Sequence, residues 1–214
     1  MNQVELLDIN LLENKRNLKE IIFWQYPMNR PQGWHYDLDF LWILDNLKRM
    51  GLAKGSKILD AGAGLGPFQY ILASKGYNIV SLDFSKRNLP KESINLFDIK
   101  IDQNDFNYNH KYQDFIFLEN KKNLKNKIFK RLFDGSFFNI KWLYFKTKKS
   151  LLHFFFSTQA KLILDKKKFG KILFKRAAFH DVPYKSSSFD AVVSISAIEH
   201  AEKKLLEKNI SEIL

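Results

Sequence analysis

The sequence predicts an α/β fold built around one strand–helix–strand unit, and three observations indicate it. Short apolar runs at 58–59 and 79–82 are typical of buried strands. Between them lie three alternating glycines and a helical segment that ends at Gly76. The second run ends in Asp83, which follows Asp60 by 23 residues. An acid at that place is typical of a nucleotide-binding βαβ unit, where it contacts a ribose.

The glycines at 62, 64 and 66 predict a tight turn that approaches a ligand closely. Glycine has no Cβ, so the backbone can turn sharply there. The helix that begins near Pro67 would present free N–H groups toward this turn. The dinucleotide pattern G-x-G-x-x-G, placed on Gly62 and Gly64, requires a third glycine where the chain has Pro67. The sequence therefore disfavours an NAD-dependent oxidoreductase.

Two segments carry a resemblance to a known family. The run Asp60-x-Gly62-x-Gly64-x-Gly66 resembles motif I of class I S-adenosylmethionine-dependent methyltransferases. The segment 179–200 is similar to the region around strand 4 of the same enzymes, with an acid–apolar–Pro–aromatic run, Phe-Asp, an apolar strand and Glu-His. The resemblance implies a Rossmann-like sheet, S-adenosyl-L-methionine as the methyl donor, and transfer by in-line displacement on the methyl carbon.

The resemblance also implies site residues. Asp60 would attract the ammonium of the donor, the three glycines would shape the pocket for its methionine end, and Asp83 would hold the ribose hydroxyls. The acid that many relatives use at the adenine is replaced by Ala178, so either Asp181 or a backbone group of Phe179 or His180 would serve there, or affinity for the donor would be lower. The implied cofactor-binding set is Asp60, Ala61, Gly62, Gly64, Gly66, Asp83, Phe84, Phe179, Asp181 and Ser194.

One residue is a candidate for catalysis. His200 would lie just beyond strand 4, where ligands collect in open α/β sheets. Its imidazole could take a proton from a hydroxyl or amine acceptor, although a histidine at a helix start is more often structural. Ser196 and Glu199 match a capping box, and Phe189 and Asp190 are expected to be packing and turn residues.

The chain is predicted to have three parts. Residues 1–54 form a helical lead-in with helices over 8–23 and 36–50, interrupted by two prolines and a glycine in 27–33. The aromatic residues at 34–36 would cover the cofactor pocket or pack the lead-in onto the core. Residues 55–96 and 171–214 form the Rossmann-like cofactor-binding core, and 97–170 is an insertion between strands 2 and 3.

The insertion is basic and rich in aromatic residues. The net charge of the chain is +12, and residues 86–176 hold 22 Lys and Arg against 8 Asp and Glu. Lysine with interleaved aromatic rings could bind single-stranded nucleic acid, an acidic sugar polymer or an anionic lipid surface. A solvated surface over a small aromatic core is the alternative without a partner.

A complete sheet of this family has seven strands in the order 3-2-1-4-5-7-6. Here strands are predicted at 58–59, 79–82, 171–177 and 189–194, and the chain ends in the helix that follows. We therefore expect a four-stranded sheet, incomplete at its C-terminus, with 189–194 as an exposed edge. Truncation of the gene product, or cover by the insertion or a partner, would account for that edge. A non-catalytic scaffold that keeps half a methyltransferase fold is the alternative function.

Composition restricts the chemistry and the location of the protein. The chain has no cysteine, which excludes disulfides and thiolate metal sites, and no metal is expected. Its first residues carry acids where a signal peptide is basic, and the apolar run 151–156 is too short to span a bilayer. We expect a cytoplasmic protein. The methyl acceptor (small molecule, sugar or nucleic acid) is not predicted by the sequence.

Overall fold

The computed structural model describes residues 6–85, 87, 89–102, 140–163, 168–179, 181–197 and 206–213. The chain divides into two compact units, one formed by Met1–Phe106 with Phe156–Leu214, the other by Asn107–Phe155. The described part of the second unit is helical, and it exposes Leu151 and Phe154.

A five-stranded parallel sheet forms the centre of the first unit. Its strands are β1 (Lys57–Ala61), β2 (Asn78–Asp83), β3 (Asp98–Asp102), β4 (Lys171–Arg176) and β5 (Ala191–Val193). They lie in the order β3-β4-β2-β1-β5. The four predicted strands therefore neighbour one another in the order that the resemblance implied, and β5 is an edge strand, as predicted. The protein is an α/β protein whose sheet is compatible with a Rossmann-like fold.

The fifth strand was not predicted, so the expected count of four strands is wrong. β3 lies within the range 97–170 that the sequence assigned to the insertion, and it pairs in parallel with β4. Its sequence, DIKID, alternates charged and apolar residues, and of its five residues Ile99 and Asp102 are partly buried while the other three are exposed. The alternation is typical of an edge strand. A strand of this kind is difficult to recognise in the sequence of a polar, basic segment. The Nζ atom of Lys175 and Oδ2 of Asp102 form a salt bridge of 2.5 Å across the pair.

The helices are α1 (Lys15–Gln25), α2 (Trp34–Arg49), α3 (Phe68–Ser74), α4 (Lys91–Leu96), α5 (Ile140–Ile163) and α6 (Leu206–Ile213). α2 confirms the second lead-in helix. The first is divided, because Asn14 follows a short 3-10 helix and caps α1 by accepting a hydrogen bond of 3.2 Å from the N–H of Asn17. α5 occupies part of the segment 97–170 that the sequence assigned to the insertion. The remainder of the predicted insertion, 103–139 and 164–167, lies outside the described residues.

Apolar side chains pack on both faces of the sheet, as is usual for parallel strands. Ile58 and Ile79 face the larger cluster, which includes α1, α2, α3 and the aromatic rings of Trp24 and Phe97. The residues that follow them, Leu59 and Val80, face the opposite side. There they are covered by the loop that joins β4 to β5, through the partly buried rings of residues such as Phe179, Tyr184 and Phe189.

None of the helices in the described part of the chain combines the length and the apolar character needed to cross a membrane.

Candidate cofactor site

The glycine loop after β1 is held in place by the end of β2. The N–H groups of Gly62 and Ala63 donate to the carbonyl of Leu82 at 2.9 and 3.0 Å. Gly62 and Gly64 have φ of 71° and 54°, a conformation that glycine adopts without strain. A Cβ on Gly62 would lie 2.3 Å from Cβ of Ala197, whereas a Cβ on Gly64 would meet nothing within 4 Å. Gly62 is therefore required by close packing, and Gly64 borders open space.

Asp83 is buried at the end of β2, and both of its carboxylate oxygens bind the loops around it. Oδ2 accepts a hydrogen bond of 2.8 Å from the N–H of Gly64. Oδ1 accepts from the N–H of Ser85 at 2.8 Å and from its hydroxyl at 2.5 Å. A carboxylate offers about four acceptor positions, so three of these are used within the protein. Asp83 fixes the glycine loop, a role that the sequence did not indicate.

The guanidinium of Arg87 is buried beside this carboxylate. It donates to the hydroxyl of Ser81 at 2.8 Å, to the Ser81 carbonyl at 2.5 Å and to the Gly64 carbonyl at 3.4 Å. It also lies 4.8 Å from the ring centroid of Phe174. Burial lowers the pKa of Arg87, while the negative charges of Asp83 and Asp60 oppose that shift. The two peptide groups that flank Gly64 are thus bound by the side chains of Asp83 and Arg87.

Asp60 differs from Asp83 because its carboxylate is not satisfied by the protein. It is the penultimate residue of β1 and is only 3% exposed. Within the described residues, its Oδ2 atom is buried and has no hydrogen-bond partner. Burial raises the pKa of Asp60 to about 7, with Arg87 lowering it and Asp83 raising it further. An unsatisfied buried carboxylate is costly, so Asp60 is a candidate to bind a hydrogen-bond donor or a cation from a ligand.

A cleft of about 260 Å³ opens above Asp60. Its floor is the glycine loop from Gly62 to Phe68, and Ile195 and Ser196, which follow β5, form one side. β1 lies between β2 and β5, so the chain leaves β1 toward one edge of the sheet and later returns on its other side. Crevices at this reversal, beyond the carboxyl ends of the strands, are where open α/β sheets bind ligands.

The lead-in also lines the cleft, through Arg30, Gln32, Tyr36 and Phe40. Of the three aromatic residues at 34–36, Tyr36 lines the cleft and also packs against the main core cluster, so it combines the two predicted alternatives. Trp34 is 62% exposed and is not part of the lining. Phe40 stacks on Phe68 with ring centroids 4.7 Å apart, which packs the lead-in against the start of α3.

Of the other predicted site residues in the described part of the chain, Gly66 lines the cleft, and Ala61 and Phe84 do not. Ala61 is fully buried in β1, and Gly66, whose Cβ would make an ordinary contact of 3.6 Å with the Ala63 carbonyl, lines the floor. Phe84 is 37% exposed, and its carbonyl accepts a hydrogen bond from Arg176. His200 lies outside the described residues, so its catalytic role stays a prediction.

Three predicted residues follow β4 and β5. The ring of Phe179 would lie 3.5 Å from a Cβ on Gly62, so it supports the glycine loop from beside it. Asp181 is exposed on the loop after β4 and does not line the cleft. The hydroxyl of Ser194 is buried without a hydrogen-bond partner among the described residues, directly before the cleft residue Ile195.

Two expectations for the second segment have different outcomes. Asp190 is a turn residue, as predicted, because its Oδ2 atom accepts from the Lys57 N–H at 2.7 Å. Ser196 has φ of 48°, which is not the extended backbone of a typical helix N-cap. Glu199, the second residue of the predicted capping box, lies outside the described residues.

Sequence reasoning missed Arg30, Gln32, Phe40 and Arg87. Arg30 and Gln32 belong to a segment with two prolines and a glycine that reads only as a break between helices. The one signal for these two residues is a general one: loops that are positioned by a rigid framework often carry binding residues. Arg87 was counted with the basic segment, and no motif separates it from the surface lysines.

Comparisons of this chain with family models, with curated proteins and with solved structures found no match. The fold and the cleft define an α/β protein with a candidate small-molecule site at the reversal point of a parallel sheet.

Proposed function

We propose that the chain is an S-adenosylmethionine-dependent methyltransferase of the class I type. The observation that supports this most is the buried, unsatisfied carboxylate of Asp60 at the floor of a glycine-lined cleft. A cationic ammonium would supply the missing partner for this carboxylate. The donor carries such a group on its amino acid end and a nucleoside at the other, which suits a βαβ unit.

A ligand with a pyrophosphate fits this cleft less well. Asp60 would repel phosphate oxygens, and Pro67 replaces the third glycine of the dinucleotide pattern. α3 has seven residues, and no side chain caps its first turn. These features favour a ligand with a positive charge near the glycine loop over a dinucleotide.

The residues of the chain have distinct roles in this proposal. Asp60 binds the ammonium, and the loop from Gly62 to Gly66 lies beneath the methionine end. Asp83 has room for about one more hydrogen bond, so it would contact a ribose hydroxyl while it continues to hold the Gly64 N–H. The cofactor supplies a methyl group on a sulfonium sulfur, which the acceptor displaces in line.

Acceleration would come mostly from positioning the acceptor and excluding water. Tyr36 and Phe40 provide apolar cover on the lead-in side of the cleft. His200 remains the candidate for removing a proton from the acceptor.

The acceptor is a small molecule, a sugar or a nucleic acid. A cytoplasmic location and an anionic partner for the basic segment also stay predictions from the sequence.

Calorimetric titration of S-adenosylhomocysteine into the chain tests the proposal. Gly64→Gln places a side chain in open space at the cleft, whereas Gly51→Gln adds the same side chain at a second open glycine with φ of 72°. Because both variants carry similar backbone strain, we expect only Gly64→Gln to abolish saturable binding.

Absence of binding to the folded, unaltered chain would overturn the proposal. Binding without methyl transfer to any candidate acceptor would instead support the alternative of a non-catalytic protein that retains the cofactor site.

A further inference from the structure

The cleft is lined by two charged side chains of opposite sign, Arg30 and Asp60, among the residues that the structure describes. Asp60 has a buried oxygen without a hydrogen-bond partner. Across the described ranges, the guanidinium of Arg30 likewise makes no hydrogen bond or salt bridge, and its half-buried side chain faces the same space. Each charge is therefore available to a ligand.

Arg30 is held at the cleft by the backbone that precedes it. Its N–H donates to the carbonyl of Gln25 at 2.9 Å. The side chain of Gln25, which is only 3% exposed, accepts from the Gln32 N–H at 2.7 Å and donates to Oδ1 of Asp37 at 2.5 Å. One buried glutamine thus binds both ends of the loop that carries Arg30, so the guanidinium does not require a large rearrangement to meet a ligand.

The size of the cleft indicates that both charges meet the same molecule. Sites for small molecules have volumes of roughly 300–1,000 Å³. The volume here is about 260 Å³, which is just below that range, so the cleft has room for no more than one ligand. A ligand that satisfies a carboxylate and a guanidinium within one small cleft needs a cationic and an anionic group close together.

We infer that the cleft selects a ligand with a free α-amino acid end, with Arg30 binding its carboxylate and Asp60 its ammonium. A guanidinium can bind a carboxylate with two parallel hydrogen bonds, which adds geometric selectivity. This inference rests on the proposed function and deepens it, because it assigns the zwitterionic end of the donor to two lining residues from different parts of the chain. It also identifies Arg30 as a determinant of specificity.

The experiment compares two ligands that differ in the amino acid end. S-adenosylhomocysteine has it, and 5′-methylthioadenosine lacks it. Calorimetric titration gives the ratio of their dissociation constants for the unaltered chain and for Arg30→Gln. We expect the unaltered chain to favour S-adenosylhomocysteine, and Arg30→Gln to reduce that preference about 10- to 100-fold, the scale of a lost hydrogen bond between charged groups.

Arg49→Gln is the matched control. Arg49 ends α2, forms an exposed salt bridge of 3.1 Å with Asp45, and does not line the cleft. It should leave the ratio unchanged. If Arg30→Gln does not fold by circular dichroism, the decarboxylated analogue of S-adenosylhomocysteine, titrated into the unaltered chain, removes the carboxylate from the ligand instead.

The outcomes separate the two proposals. A preference that disappears in Arg30→Gln, or with the decarboxylated ligand, supports the inference. S-adenosylhomocysteine binding with the same ratio in Arg30→Gln and the unaltered chain overturns the inference but leaves the proposed function intact. If the folded chain binds neither nucleoside, the proposed function fails, and the inference fails with it.

Discussion

The carboxyl ends of β1 and β2 carry one aspartate each, and the two have opposite surroundings. Asp83 at the end of β2 accepts three hydrogen bonds from Gly64 and Ser85. Asp60 on the neighbouring strand has a buried oxygen that accepts none from the described residues. Both side chains are buried, with exposed fractions of 6% and 3%, so burial alone does not distinguish them.

This difference separates Asp83, which holds the glycine loop in place, from Asp60, whose partner in our proposal is a ligand. Folding already uses most of the hydrogen-bonding capacity of Asp83, and removing it should mainly damage the structure. The carboxylate of Asp60 makes folding less favourable, because a buried charge without a partner is costly. Binding sites often contain such groups, whose cost is offset only when the ligand arrives.

The largest effect is expected from Asp83→Ala. This change leaves the partly buried N–H of Gly64 without its acceptor and removes a negative charge beside Arg87. We expect the free energy of unfolding to fall by about 3 kcal/mol, measured by urea denaturation. Asp45→Ala, which removes an exposed salt bridge with Arg49, should cost less than about 0.5 kcal/mol. Equal losses would show that Asp83 does not hold the loop.

Asp60→Asn should change stability in the opposite direction. The pKa of Asp60 is about 7 in the folded chain and 3.8 in the unfolded chain, so the folded state binds the extra proton between these values. Stability of the unaltered chain therefore falls as pH rises from about 4 to 7. The variant lacks this loss, and we expect it to be more stable by about 1–2 kcal/mol at pH 8 and nearly unchanged at pH 4.

The same substitution tests the ligand role of Asp60. An ammonium binds the ionised carboxylate, so affinity of the unaltered chain for S-adenosylhomocysteine should rise between pH 6 and 8, while the variant binds weakly with little pH dependence. Denaturation and calorimetry at both pH values measure the two effects. A variant that is stabilised but binds as tightly as the unaltered chain would remove Asp60 from the site.

The comparison also explains which parts of the site could be predicted. The strands around Asp60 and Asp83, their order and the glycine turn were predicted correctly, because apolar runs and alternating glycines leave a local pattern. The different surroundings of the two acids were not predicted. They depend on Ser85, Gly64 and Arg87, which meet only when β1 and β2 pair and the following loop folds back.

The position of Arg30 in the lead-in and the edge strand β3 could not be predicted from the sequence for the same reason. Arg30 reaches the cleft because Gln25 is buried and binds the loop, and no sequence pattern distinguishes this glutamine from an exposed one. β3 pairs with β4, a partner roughly seventy residues further along the chain, and its alternation over five residues is short. Long-range pairing determines both features, so they became visible only in the folded chain.

Among the three acids of β1, β2 and the turn before β5, the smallest effect is expected for Asp190, at the opposite end of β1. Asp190 accepts a hydrogen bond of 2.7 Å from the Lys57 N–H, and its own N–H donates to the Lys57 carbonyl at 2.9 Å. Asp190→Ala keeps the second bond, and water can reach the exposed donor left by the first, so we expect a loss of about 1 kcal/mol by urea denaturation. Affinity for S-adenosylhomocysteine should not change, because the cleft lies at the carboxyl end of the strand. A loss of affinity comparable to that of Asp60→Asn would show that the two ends of β1 are coupled, and that satisfied and unsatisfied acids cannot be assigned separate roles here.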